Sequence, residues 1–209
     1  MVESRQEENG FPIHQLPIVS GERLRLMRLY AEIHYGLDSF ELKDPRMIVV
    51  HYTALPTFEE SLEFLRPDEL STVRDDIQAG GTVNVGSHYL VDRNGAIYQI
   101  MPDDVMARHT IGFNHVSISI ENVGRDRDHL TEAQIAADAF VIHRLCRKYP
   151  GIEYLIGHQE YMRRDLPHFV LFRELDPSYR FTVKQDPGSE FMVRLRKELS
   201  ETYKLKLKD

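Results

Sequence analysis

The chain has 209 residues, a net charge of −7 at pH 7, 42% apolar side chains and one cysteine. No run of about 18 apolar residues is present, so no stretch reads as a transmembrane helix. No basic stripe offers a footprint for nucleic acid or an anionic membrane. Cys146 alone excludes an internal disulfide, and the length suits one domain with its own core, expected as a monomer.

Residues 1–20 are polar and acidic at the start, carry Pro12 and Pro17, show no period, and read as a flexible or surface-wrapping lead before a single domain at 21–209. The first ten residues lack the basic start and apolar stretch of a signal peptide. Glu22 to His34 places Leu24, Met27, Tyr30 and Ile33 near helical spacing. Met47 to His51 is a buried strand. Thr57–Leu65 and Asp68–Ala79 read as two helices broken at Pro67, with Thr57 and Asp68 as N-caps. His88–Val91 and Ala96–Ile100 are strands joined by Asp92-Arg93-Asn94-Gly95, a tight-turn signal. Val116 to Val123 alternates as a strand. Thr131-Glu132-Ala133-Gln134 is a capping box opening a helix that ends before Pro150. Glu153–Ile156 is the last strand, and Ser189–Leu199 a final helix with Phe191, Met192, Leu195 and Leu199 inward. Helices alternating with strands predict an α/β fold, a mixed central β-sheet flanked by helices.

Two of the strands run straight into a histidine: Met47-Ile48-Val49-Val50 into His51, and Tyr154-Leu155-Ile156-Gly157 into His158. Far downstream stands Lys184-Gln185-Asp186-Pro187-Gly188. Two imidazoles and one carboxylate are a ligand set of catalytic zinc, which keeps its fourth position open. A lone strand-end histidine is more often a half-buried polar residue. In an extended segment residues two apart point the same way, so Lys184 and Asp186 are expected to face one site.

The motifs extend this. His51-Tyr52-Thr53-Ala54, the hairpin Asn84 to Gln99, Ala107-Arg108-His109, Asn114 to Glu121, Gly157-His158-Gln159-Glu160 and Lys184 to Gly188 resemble, in order, the blocks of the zinc N-acetylmuramoyl-L-alanine amidases. This family includes the peptidoglycan recognition proteins and phage endolysins, and the resemblance covers roughly residues 45 to 195. It implies zinc on His51, His158 and Asp186. It implies hydrolysis of the amide between N-acetylmuramic acid and L-alanine in peptidoglycan or muropeptides. Glu121 matches the acid/base of one branch, the cell-wall recycling amidases. Another branch uses a tyrosine where this chain has Ser87. Lys184 matches a lysine that stabilises the oxyanion, His109 a histidine lining the cleft, and Asn114 a candidate substrate contact. Read without the family, Glu121 is a strand-end carboxylate and Lys184 a solvated cation.

One departure concerns spacing. Compact relatives have the second histidine and the aspartate about ten residues apart, whereas here a long loop, 159–183, intervenes. A loop of that length in a compact domain is usually functional or disordered. It also carries Asp176-Pro177, a rival third ligand. A non-catalytic peptidoglycan-binding module of the same fold is the alternative reading. The location expected is the cell envelope, with the cytoplasm as alternative.

Overall fold

The computed structural model describes residues 10–209 apart from 73, 75 and 76. Its strands are β1 (Ile13–Gln15), β2 (Met47–Tyr52), β3 (Tyr89–Val91), β4 (Ile97–Gln99), β5 (Ser117–Asn122) and β6 (Tyr154–Gly157). They form one mixed sheet in the order β1-β4-β3-β5-β2-β6, in which β3 and β4 pair antiparallel and the remaining named pairs are parallel. The helices are α1 (Gly21–Tyr35), α2 (Phe58–Leu65), α3 (Glu132–Lys148) and α4 (Ser189–Thr202). The expected α/β class with a helix-flanked mixed sheet is the one observed.

β2 lies between β5 and β6, and Met47 to Val50 are all 0% exposed. An unbroken apolar run suits that position, because a central parallel strand is covered on both faces. The β3–β4 turn closes through Asp92 N–H to Ala96 O (2.9 Å), with Gly95 at φ +84°. A side chain at Gly95 would also collide with Ala133 O at 2.9 Å. α3 begins at the Thr131/Gln134 capping box. The buried Gln134 amide then donates to Val91 O (3.2 Å) and Val123 O (2.9 Å), which docks the helix on the sheet.

Three expectations need correction. Asp68–Ala79 is not a helix among the described residues; Val73, Asp75 and Asp76 lie outside them. Glu69 instead bridges Val83, Leu70 N–H donates to Thr82 O, and a single 3-10 turn follows at Gln78–Gly80. Tertiary contacts decide this. The Asp68 carboxylate is taken by Ser20 Oγ (2.8 Å) and by the buried Arg23 (3.5 Å), so it caps no helix of its own. Arg23 also donates to Leu65 O (2.7 Å), Arg66 O (3.4 Å) and Pro67 O, closing the C-terminal end of α2. The last turn of α2 itself holds no basic residue, and Arg66 stands only at the C-cap.

The second correction concerns the lead segment, which supplies β1 to the sheet edge beside β4 and buries Ile18. Three residues are too few to show a period. The third concerns α4, which continues to Thr202, three residues past the expected end.

The 159–183 loop is packed, not free. Phe169 and Phe172 stack at 5.0 Å, Tyr161 Oη donates to Thr182 O (2.6 Å), and Leu175 N–H donates to His34 O (3.0 Å).

Candidate active site

Alternation along β2 and β5 sets the site. His51 and Glu121 are register partners on adjacent parallel strands, so their side chains rise from the same face of the sheet. Val50 pairs with Gly157, and His158 follows at the next position. Both imidazoles therefore stand on rigid, buried backbone; His51 is 2% exposed and His158 7%. Asp186 arrives from the long loop. Along 183–186, Val183 and Gln185 are exposed while Lys184 and Asp186 are half-buried, as the two-residue period requires. Gly188, at φ +97°, then turns the chain into α4.

Three atoms converge. His51 Nδ1 lies 3.0 Å from His158 Nδ1 and 3.2 Å from Asp186 Oδ2, and His158 Nδ1 lies 3.0 Å from Asp186 Oδ2. Nitrogen and oxygen donors placed tetrahedrally around zinc at ~2.0–2.1 Å stand about 3.3 Å apart. The triangle and its donor set thus fit such an ion. Burial, and next the charge of His158, lower His51 to about 4, which keeps the imidazole neutral, the form that ligates metals. Burial alone would raise Asp186, but the two imidazoles outweigh it and hold the carboxyl well below the usual carboxylate range. The rival, Asp176, is not at this triangle. Its carboxylate accepts from Ser178 N–H and Oγ–H at 2.8 and 2.7 Å.

A cavity of about 370 Å³ opens over these atoms, and Glu121, Lys184, His109 and Asn114 also line it. Glu121 has one buried carboxylate oxygen without a hydrogen-bond partner among the described residues. Burial, then the Asp186 carboxylate, push its pKa well above the ordinary value, with Lys184 and Arg74 pulling the other way. Asn114 is wholly buried. Its carbonyl accepts from His109 N–H (2.9 Å) and Thr110 N–H (2.8 Å), and its amide donates to Tyr30 Oη (3.1 Å). Its geometry is that of a turn brace beside the cavity. Ser87 does not reach the cavity; it is buried against Ser119 (3.1 Å). His88 is buried and bonds Ser119 Oγ (3.1 Å) and Val105 O (2.9 Å). Tyr179 of the long loop belongs to the wall, as do Arg74 and Phe64, which sequence reasoning did not assign.

Residues 41–189 match the family described as N-acetylmuramoyl-L-alanine amidase, so the chain belongs to that family and is an amide hydrolase of that class. Among solved structures, the N-acetylmuramoyl-L-alanine amidase LysC from Clostridium intestinale is 19% identical, with 93% of this chain and 99% of that one covered at a TM-score of 0.52. A selenomethionine derivative of AmpD is 26% identical over 75% of this chain and 85% of that one, with a TM-score of 0.50. No curated protein sequence matches the chain. The fold is thus the one the sequence resemblance implied.

Proposed function

We propose that the chain hydrolyses the amide between the lactyl group of N-acetylmuramic acid and L-alanine, in peptidoglycan or in muropeptides, with zinc held by His51, His158 and Asp186. The observation that carries this is the convergence of His51 Nδ1, His158 Nδ1 and Asp186 Oδ2 within 3.2 Å at the floor of the cavity. Zinc in such a site makes water a competent nucleophile near neutral pH and polarises the scissile carbonyl.

The chain's own residues supply the remainder. Glu121 stands on the strand beside His51, with a carboxyl whose raised affinity for protons suits it to take one from the attacking water and give it to the departing amine. Lys184 lines the same cavity as Asp186 and places a cation where negative charge grows on the carbonyl oxygen. His109 and Asn114 shape the wall between α1 and β5. A substrate built of glycan and peptide points to the cell envelope as the working compartment.

The test is mass spectrometry of purified peptidoglycan, and of soluble muropeptides, after incubation with zinc-loaded protein. The expected products carry a free lactyl carboxylate on the sugar and a new L-alanine amino terminus, and a chelator abolishes their formation reversibly. A glycan cut, or a cut within the stem peptide, contradicts the reading. Intact material retained on the protein supports a binding module instead.

A further inference from the structure

Behind the His51 imidazole, a line of hydrogen bonds runs away from His158 and Asp186 and ends on the main chain. His51 Nε2 lies 3.2 Å from His109 Nδ1. His109 Nε2 lies 3.2 Å from Ser117 Oγ. Ser117 Oγ donates to Phe113 O at 2.8 Å. The last link sets the direction of all the others. A backbone carbonyl only accepts, so the one hydroxyl proton of Ser117 is committed to Phe113 O. Ser117 Oγ is then an acceptor for His109, and a neutral His109 ring carries its proton on Nε2. His109 Nδ1 is left bare, and His51 answers it with Nε2–H. The unprotonated nitrogen of His51 is therefore Nδ1, the atom that faces His158 and Asp186.

The surroundings hold this line in place. His109 N–H is fixed to Asn114 Oδ1 (2.9 Å), and the His51 and His109 rings meet edge to face, 87° apart. Thr110 Oγ1, 2.9 Å from His109 Nδ1, is a rotatable hydroxyl and joins as a second donor to the same lone pair. Ser117 is wholly buried and is not part of the cavity lining.

We propose that Ser117 and His109 are positioning residues that hold His51 in its Nε2-protonated tautomer and so aim the Nδ1 lone pair at a divalent metal. The proposal rests on the zinc reading above and assigns His109 an action through His51 rather than through the substrate. Groups that hydrogen-bond a ligating imidazole typically alter metal affinity by about 10–100-fold.

The experiment measures zinc affinity of the full chain by competition with a chelator. It is accompanied by the melting temperature of the metal-free protein and by ring ¹⁵N NMR of His51 in metal-free wild type. Ser117→Ala is expected to weaken zinc about 10–100-fold, and Ser117→Thr, which keeps the hydroxyl, to restore it. Because the two residues act in series, Ser117→Ala added to His109→Ala should weaken binding no further than His109→Ala alone. The ring spectrum should show Nε2–H. Equal affinity in wild type and Ser117→Ala, additive losses, or an Nδ1–H ring overturns the relay while wild type still binds zinc. A wild type that takes up no zinc overturns the metal reading itself. The spectrum needs no substitution, so a poorly folding variant does not shield the proposal.

Discussion

On β5, Ile118 and Ile120 point to one side of the sheet, and Ser117, Ser119 and Glu121 to the other; on β2, Ile48 and Val50 oppose Met47, Val49 and His51. The first side is covered by α3. Polar side chains are few there; Asn122 Nδ2 donates to Asp138 Oδ2 at 2.8 Å. The second side carries buried serines and histidines that satisfy one another beneath the cavity. Ser117 and Ser119 are as deeply buried as Ile118 and Ile120, so burial alone does not separate the two sides at these positions. They differ in what replaces water: apolar contact on one, a hydrogen-bonded polar layer on the other. A strand lets the two coexist on one rigid backbone, because successive side chains never compete for the same space.

Substitutions sort by side. The largest effect is expected for Asp186→Ala, which leaves two imidazoles and should lower zinc affinity by more than the roughly 10–100-fold cost of losing an outer partner. Asp176→Ala should leave zinc binding intact, since its carboxylate serves Ser178. Metal titration of both variants distinguishes them, and the reverse pattern breaks the assignment. Glu121→Gln should retain zinc and the fold but lose about 10²–10⁴-fold in turnover, and Lys184→Ala about 10²–10³-fold. Near-normal steady-state rates in either case remove that residue from the chemistry. On the opposite side, Ile120→Ala should cost about 2–5 kcal/mol in urea unfolding with zinc stoichiometry unchanged in the folded protein. A loss of zinc without a loss of stability would erase the distinction between the sides.

The most gradual effect concerns pH, because it builds unit by unit rather than appearing at once. Burial raises the Asp138 carboxyl from 3.8 to about 8, against the smaller pull of Asn122. A raised acid favours the folded state fully below its ordinary value, and that contribution is lost as pH climbs from about 4 towards 8. Asp138→Asn stays neutral throughout. Across that window it should gain on the wild type by up to about 1.4 kcal/mol per pH unit, read from denaturant midpoints at pH 5, 6 and 7. Parallel curves would mean that Asp138 is ionised in the fold.

The residues at the triangle were legible because each sits where a short rule operates: an apolar run ending in histidine, or a two-residue period ending in Asp-Pro-Gly. Alternation against two isoleucines gave the side of the strand on which Glu121 stands, but its role came only from the family resemblance. The relay from His51 was not legible. His109 and Ser117 are eight residues apart, and only the turn braced by Asn114 brings them together. The Asp68–Ala79 helix failed for a related reason, since its apparent cap serves Ser20 and Arg23, and no local pattern announces a partner 48 residues away. β1 escaped notice because its pairing, not its composition, makes it a strand.

Arg23 has a consequence for how such a cleft changes over generations. Its guanidinium never faces the cavity, yet it grips the turn after Phe64 and Leu65, which do. A planar fork of donors serves several carbonyls and a carboxylate at once, which a lysine ammonium does not reproduce. The aperture is thus inherited from the join between α1 and α2. Altering that join offers a lineage a way to admit bulkier or slimmer ligands while every reacting group stays where the strands hold it.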